Sequence, residues 1–403
     1  MDETNATGKK GIAALPLFGI ALVLWVVPLL VIVVKAYCNP TTNTVTMPYS
    51  LASEAWWGRG RMYIGPGGMN YLPHFAIIFS LFEALPVPFG EILWRITAFV
   101  LIATGLWRFC RRLFDDGLGG DAPQSGAWAG FFWTTILTLP LSLAALRNGQ
   151  ANAVFGGIML HALVSLASKK WGWAAGLIAL SVAVKPLGIV LVLLAPFVYR
   201  PLWWRMPLTV AALVAAPFLF GTPGFVIGQY HGFLGNLGSC SIVNDNSYAD
   251  IGGVFRAIGV EMSPLVSKTV RVLAGLPTLA LWMWGARRLR EPLRELWLLA
   301  LAGGYLMLFN PMNEANSYVI MAPAMAMWAV WLRKNRGCPG VGRGVVWGIV
   351  FIIYTMSVWP LVMHPWFGTR FALFWHPIMT VVFLALLIEV IARLEKGKMT
   401  NDE

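Results

Sequence analysis

The stretch that decides the fold is residues 171–199, which read WGWAAGLIALSVAVKPLGIVLVLLAPFVY. A membrane helix needs about 20 apolar residues, and this stretch supplies them, but Lys185 and Pro186 interrupt it near the middle. We therefore predict two short membrane helices, 171–184 and 187–199, joined at Lys185–Pro186. Such a break is stable in a membrane only where protein or a watery cavity satisfies the backbone.

The composition supports a membrane protein along the whole chain. Apolar residues make up 58% of the 403 residues and charged residues 12%, whereas soluble proteins average roughly 45–50% and about 25%. The net charge of +12 would suit a nucleic-acid-binding protein, but 20 of the 30 basic residues form seven small clusters between apolar runs. This is the pattern of cytoplasmic membrane loops. We predict one integral membrane domain, 1–403, and no nucleic-acid partner.

The apolar runs predict an all-α polytopic protein with about twelve membrane helices, within a range of ten to thirteen. The predicted spans are 11–35, 89–112, 127–146, 152–168, 171–184, 187–199, 206–222, 267–286, 295–309, 316–332, 345–362 and 371–394.

The basic clusters predict both termini in the cytoplasm of a cell (inner or plasma) membrane protein. Residues 36–88 then form a first outer loop, in which 49–57 and 71–85 are expected to be helices lying at the membrane interface. Residues 223–266 form a second large outer loop, rich in Gly, Asn and Ser. For this loop, a flexible connection and a substrate gate both stay open.

The four cysteines show no metal-binding spacing. In this topology Cys38 and Cys240 share the outer side, so either a disulfide or two packing thiols is compatible with the sequence.

Polar residues gather at the ends of spans on the outer face. They are Arg95, Arg147, Asn148, Gln150, Asn152, Lys185, Asn310, Glu314, Asn316, Tyr318 and Arg370. Because charge at membrane depth is costly unless paired or wetted, such residues usually serve a site. Lys185 is the sharpest case, and its alternative role is to extend its ammonium to the outer headgroups.

The residue types predict a ligand. Lys185, Arg95, Arg147 and Arg370 would hold a phosphate or pyrophosphate, and the amides of Asn148, Gln150 and Asn310 would bind sugar hydroxyls. Glu54 and Glu314 are the candidate carboxylates for accepting a proton from an attacking alcohol. With apolar helices to hold a lipid tail, the set favours a lipid-linked sugar used at the outer face. Acidic pairs suited to a divalent ion are absent there, so we expect no metal and no cofactor.

Four motifs occur in order along the chain. They are Tyr49, Ala52, Gly60 and Tyr63 followed by Tyr71-Leu72-Pro73; Asn148-Gly149-Gln150-Ala151-Asn152; Lys185-Pro186; and Asn310-Pro311 with Glu314 and Ser317-Tyr318. This pattern resembles the multi-spanning glycosyltransferases of the GT-C superfamily, most closely glycosyltransferase family 87, which includes polyprenyl-phosphate-mannose-dependent mannosyltransferases.

The resemblance implies a GT-C-like bundle that transfers a hexose, mannose-like, from a polyprenyl phosphate to a hydroxyl of a lipid or glycan acceptor with inversion. It also implies sugar or acceptor contacts at Tyr49, Asn152, Asn316 and Tyr318. The family's base is expected a few positions before Tyr49, yet residues 43–48, NTVTMP, contain no acid. Either Glu54 or Glu314 has taken the role, or the protein lacks the usual activity.

Two other functions stay open. A transporter or flippase of a lipid-linked or amphipathic solute would also have many spans and broken helices, but it predicts two halves of matching hydropathy, which this sequence lacks. A non-catalytic protein that binds lipid phosphates is favoured by the missing acid in the first outer loop.

Overall fold

The computed structural model describes residues 3–42, 44–63, 69–115, 125–240, 248–335, 342–368 and 370–399. Within these residues the regular structure is entirely helical, so the all-α prediction is confirmed. The α-helices are α1 (Glu3–Cys38), α2 (Met47–Trp57), α3 (Pro73–Glu83), α4 (Phe89–Asp115), α5 (Ser125–Arg147), α6 (Ala151–Ala167), α7 (Trp171–Val184), α8 (Ile189–Leu194), α9 (Leu202–Ala215), α10 (Pro223–Cys240), α11 (Ile251–Ala257), α12 (Pro264–Arg288), α13 (Leu293–Phe309), α14 (Ala322–Lys334), α15 (Arg343–Phe367) and α16 (Arg370–Met399). Short 3₁₀ helices occupy Pro186–Gly188, Ala195–Phe197, Ala216–Leu219 and Ala315–Ile320.

Each predicted span coincides with one of these helices or with a helix and its 3₁₀ extension. Seven stretches of the described chain are long and apolar enough to cross a membrane: Pro16–Cys38, Phe89–Phe114, Gly126–Arg147, Leu202–Leu219, Pro264–Arg288, Arg343–Phe367 and Arg370–Leu394. The protein is therefore a multi-pass membrane protein, while the count of twelve crossings stays a prediction.

The break at Lys185 has a local cause. Lys185 is extended, with φ −149° and ψ 128°, because a residue before proline avoids the helical region. Helix α7 therefore ends at Val184, and the chain resumes as a 3₁₀ turn at Pro186. The predicted pair of short helices joined at this position is confirmed.

Apolar residues in this fold face either the protein interior or the surrounding lipid. Helix α6 is buried along its whole length apart from His161, and α13 and α14 are buried almost as completely. Helix α1 instead leaves Val23, Val27 and Val31 exposed along one face. A helix that is apolar all round is suited either to a protein core or to lipid, and the bundle uses both kinds.

Helices α4 and α6 pack closely because glycines lie at their crossing. A Cβ added at Gly157 would lie 2.6 Å from Cβ of Leu101 and 2.8 Å from its carbonyl carbon. Residues with a side chain do not fit at this distance, so the approach of α6 to α4 depends on Gly157.

The two predicted outer segments are more helical than their sequences suggest. The first contains α2 and α3, whose contact includes a hydrogen bond from Ser53 Oγ to the carbonyl of Ala76 at 2.8 Å. The second contains α10 and α11, and Gly235–Ser239 lie within α10, so of the two alternatives left open the flexible connection does not describe these residues. Gln229 and Asn236 face inward on α10 and bind backbone carbonyls at Gly60 and Met69. The polar stretch 244–247 lies outside the described residues.

Cys38 is exposed and Cys240 is buried, and both are free thiols. The disulfide that the sequence left open is not formed. Instead, the Cys240 thiol donates to Asn70 Oδ1 at 3.1 Å.

Replacing Gly157 with alanine should force α4 and α6 apart, and overpacking of this kind costs about 1–3 kcal/mol. We expect a lower thermal unfolding temperature for the purified protein in detergent. Gly176 on α7 is the matched control, because a Cβ there meets nothing within 4 Å; Gly176→Ala should be neutral or slightly stabilising. Equal unfolding temperatures for the two variants would contradict the packing argument.

Candidate functional site

The turn between α5 and α6 is held by hydrogen bonds from earlier parts of the chain. Gly149 has φ +66°, a left-handed conformation that favours glycine. The three carbonyls before Gln150 accept hydrogen bonds: that of Arg147 from Arg95 Nε at 2.9 Å, that of Asn148 from the Val45 amide at 3.0 Å, and that of Gly149 from Trp94 Nε1 at 2.7 Å. This clamp fixes the start of α6, and with it the side chains of Gln150 and Asn152.

Glu91 anchors the clamp. Its carboxylate forms an ion pair with buried Arg95 and accepts hydrogen bonds from Thr46 Oγ1 and from Thr44 Oγ1, the latter at 3.1 Å. Thr44 and Thr46 occupy the stretch where the family resemblance led us to expect a carboxylate. The two threonine hydroxyls instead bind Glu91 of α4, which does not line the polar cavity described below. Sequence reasoning missed Glu91, although its four-residue spacing from Arg95 marks a helix-face pair.

A polar cavity of about 390 Å³ opens beside this turn. Its polar lining residues are Tyr49, Asn70, Tyr71, Gln150, Asn152, Lys185, Tyr248, Asn310, Glu314 and Ser317. Apolar side chains, among them Leu187 and Leu237, complete the wall. We refer to this space as the polar cavity.

A chain of hydrogen bonds runs along one wall of the polar cavity. Lys185 Nζ donates to Asn152 Oδ1, and Asn152 Nδ2 donates to Ser317 Oγ at 3.0 Å. Asn152 Nδ2 also lies 3.3 Å from Gln150 Oε1, and Gln150 Nε2 donates to Glu314 Oε2 at 2.8 Å. One cation, two amides and one carboxylate are therefore joined in a single network.

Lys185 is the cation of the polar cavity. It lies in the break between α7 and the following 3₁₀ turn, outside the membrane-spanning helices, and its ammonium is 5.5 Å from the centre of the Tyr71 ring. Burial lowers the pKa of Lys185 to about 8, partly opposed by attraction to Glu314. The group is cationic at neutral pH and sensitive to mildly basic pH.

Tyr49 and Tyr71 also line the polar cavity. Their hydroxyls lie 3.2 Å apart, and the Tyr49 hydroxyl accepts a hydrogen bond from the Ala151 amide at 3.4 Å. Burial raises the pKa of both phenols. Both therefore stay neutral at physiological pH, and because one hydroxyl donates to the other, one O–H remains to donate to a ligand.

The segment before the 3₁₀ helix Ala315–Ile320 is fixed by Asn313, which sequence reasoning did not single out. Asn313 is fully buried, and its Nδ2 donates to the carbonyls of Ala249 and Met307, each at 3.0 Å. Its carbonyl accepts from the Ala249 amide at 2.6 Å. These bonds hold Tyr248, from the second outer segment, beside the polar cavity.

The structure brings together six of the predicted site residues. Tyr49, Gln150, Asn152, Lys185, Asn310 and Glu314 all line the polar cavity. Tyr71, Asn70 and Ser317 join them, none of which had been predicted as a site residue.

The remaining predicted residues lie elsewhere. Glu54 is exposed on α2, on the side opposite buried Tyr49 and Ala52. Arg95 and Asn148 belong to the clamp, and Tyr318 is buried, with its hydroxyl donating to the Ala249 carbonyl at 3.2 Å. Arg95, Asn148 and Tyr318 therefore each have a structural partner outside the polar cavity.

The last three predicted site residues line two other spaces. Arg147 and Asn316 line a separate space between α1, α5 and α15, which we call the apolar groove. Arg370 lines a third cavity beside α11. The single set of four cations predicted around one phosphate is therefore wrong in its geometry, because only Lys185 reaches the polar cavity. Among the described residues, no three His, Cys, Asp or Glu side chains cluster as metal ligands would.

The described helices thus form a multi-pass membrane scaffold whose polar cavity joins one cation, amides and one carboxylate in a single network. The model of glycosyltransferase family 87 matches residues 70–311, more than half of the chain. The protein belongs to glycosyltransferase family 87 and is a membrane glycosyltransferase by family.

Two solved structures are similar to this chain, both of ArnT from Cupriavidus metallidurans. The one bound to undecaprenyl phosphate is 14% identical, with a TM-score of 0.45, over 95% of this chain and 77% of that one. The apo structure is 13% identical, with a TM-score of 0.44, over 98% of this chain and 78% of that one. No curated protein matches the chain.

Replacing Glu91 with glutamine should leave the buried Arg95 guanidinium without its countercharge, at a cost of about 3 kcal/mol. We expect a clear fall in thermal unfolding temperature. The control is Glu389→Gln, which removes the carboxylate of an i,i+4 pair with Arg393 whose side chains are 48% and 47% exposed. An exposed pair contributes about 0–1 kcal/mol. Similar losses in both variants would show that Glu91 does not anchor the clamp.

Proposed function

We propose that the protein transfers a hexose, mannose-like, from a polyprenyl-phosphate donor to a hydroxyl of a lipid or glycan acceptor. The reaction takes place in the polar cavity, at the outer face of the cell membrane, with both termini in the cytoplasm. The observation that carries the proposal is the convergence of Lys185, Gln150 and Glu314 on one cavity in a member of glycosyltransferase family 87.

Lys185 is the proposed partner of the donor phosphate. A phosphate monoanion or dianion binds a buried ammonium strongly, because charge-assisted hydrogen bonds are stronger than neutral ones. Asn152 holds the ammonium in place before the donor arrives. The polyprenyl tail would leave along the apolar side of the cavity, past Leu187 and Leu237.

The sugar would lie against the amides of Asn310 and Gln150 and the phenols of Tyr49 and Tyr71. Asn310 and Gln150 offer both donors and acceptors, which suits sugar hydroxyls. Tyr49 and Tyr71 line the same cavity with neutral phenols. The identity of the sugar as mannose-like rests on the family resemblance and not on these contacts.

Glu314 is the proposed base. Its Oε2 is oriented by Gln150 at 2.8 Å, and it lies in the same network as Lys185. The acceptor oxygen would attack the anomeric carbon and give its proton to Glu314, while the bond from that carbon to the phosphate oxygen breaks. The leaving polyprenyl phosphate carries the electron pair, and Lys185 stabilises its negative charge. A single displacement of this kind inverts the anomeric centre.

Donor binding should weaken at basic pH. A lipid monophosphate is already a dianion above about pH 7, so the change with pH reports Lys185, whose pKa is about 8. We expect the Kd of undecaprenyl phosphate to rise toward about tenfold per pH unit above that pKa. Titration of purified protein between about pH 7 and about pH 10 measures this.

Lys185→Arg is the control for this titration, because a guanidinium stays charged over the whole range. Its Kd should be nearly independent of pH. A wild-type protein with a flat profile, or a Lys185→Gln variant with unchanged affinity, would remove Lys185 from the phosphate site.

Glu314→Gln should lower transfer by about 10²–10⁴, the usual contribution of a general base, and leave the Kd of undecaprenyl phosphate within about twofold. Transfer is followed as label passing from a polyprenyl-phosphate hexose to the lipids and glycans of a membrane extract. Glu54→Gln is the matched control and should transfer normally, since Glu54 lies outside the polar cavity. The reverse result would assign the base to Glu54.

A further inference from the structure

The apolar groove lies between α1, α5 and α15 and has a volume of about 580 Å³. Its walls include Val27, Val31 and Leu361, all exposed, and Leu141. The polar residues among its lining are Lys35, Arg147, Asn316, Ser357 and His376. None of the described residues that line it carries a carboxylate.

Lys35 and Arg147 mark one end of the groove. Lys35 lies in the last turn of α1, and Arg147 is the last residue of α5. Because both helices are long and apolar enough to cross the membrane, their terminal cations belong at headgroup depth. The rest of the groove then lies along the hydrocarbon region.

Both cations are available to a ligand. Neither is within salt-bridge distance of a carboxylate on any described residue. Arg147 is fixed in place, because its Nε donates to Asn148 Oδ1 at 3.0 Å and its carbonyl is held by Arg95 at 2.9 Å. A guanidinium held in this way loses little freedom on binding a phosphate.

The groove is distinct from the polar cavity. The short segment 314–317 separates them, with Glu314 and Ser317 lining the polar cavity and Ala315 and Asn316 lining the groove. Lys185 lines only the polar cavity. The two spaces therefore have separate cations for separate anionic groups.

The third cavity differs in charge. It contains Arg256 and Arg370, but Glu261 also lines it, and Asp250 lies 3.8 Å from Arg256 and 3.5 Å from Arg271. Carboxylates there offset the positive charge. Cations without a nearby carboxylate, at the end of an apolar trough, are thus a property of the apolar groove that the third cavity does not share.

We propose that the apolar groove binds an anionic phospholipid of the surrounding bilayer, one molecule at a time. The headgroup phosphate contacts Lys35 and Arg147, the Asn316 amide forms hydrogen bonds with headgroup hydroxyls, and an acyl chain lies along Val27, Val31 and Leu141. The site goes beyond the proposed transfer reaction and does not depend on it.

The test uses the delipidated full-length protein in detergent and native mass spectrometry with added phosphatidylglycerol. We expect one molecule to bind in preference to phosphatidylcholine with the same chains. The double variant Lys35→Gln/Arg147→Gln should weaken binding at least about tenfold, since two charged contacts are lost. The control, Arg61→Gln/Lys268→Gln, removes two exposed cations predicted on the same membrane face but outside the groove, and it should bind normally.

A second pair of variants separates a shaped site from mere surface charge. Ala144→Trp and Val31→Trp fill the trough while both cations remain, and either should prevent binding. Unchanged binding in both folded variants would overturn the proposal, because cations alone would then suffice.

Competition distinguishes the two spaces. Excess undecaprenyl phosphate should leave phosphatidylglycerol bound, and Lys185→Gln should still bind phosphatidylglycerol. Displacement by undecaprenyl phosphate would overturn the proposal and assign the groove to the donor tail. Absence of sugar transfer would count against the proposed function alone, since this binding is measured without turnover.

Discussion

The hydrogen bond from the Lys185 ammonium to the Asn152 amide joins two otherwise apolar helical elements at the polar cavity. A cation among membrane helices is costly unless it is paired or wetted, so the break after α7 and the first turn of α6 must stay together. From Asn152 the network continues through Gln150 to Glu314. A second carboxylate, Glu91, is tied to Arg95 and two threonines. One carboxylate, Glu91, stabilises the scaffold, and the other, Glu314, faces the polar cavity.

The helices could be predicted from the sequence because a long apolar run is a strong signal of a membrane helix. The break at Lys185–Pro186 followed from proline alone, and the helices begin and end close to the predicted limits. The second outer segment was harder. Gly235 and Asn236 favour loops by composition, yet Asn236 lies in α10 because its amide finds partners at Met69 and Asn70. Those partners are distant in sequence, so no local pattern could show them.

The site could be predicted from the sequence only in part. Gln150, Asn152 and Lys185 were expected together, and they meet, because the ends of neighbouring helices on one side of a bundle are close in space. Arg147 was grouped with them, but the turn after it reverses direction at Gly149, and its side chain enters the apolar groove. The sequence shows at which end of a helix a residue lies. The side of the following turn to which its side chain points depends on the clamp. Glu91 was missed because its partners Thr44 and Thr46 come from a distant part of the sequence.

Helix α6 is surrounded by protein along its length, and it carries Asn152 in its first turn. Successive residues of a helix are separated by about 100° of rotation. A residue inserted or deleted between Asn152 and Gly157 would rotate one of them by about 100° relative to the other. Either the amide would then leave Lys185 or Gly157 would leave α4, so the spacing of these two residues is fixed by two separate contacts.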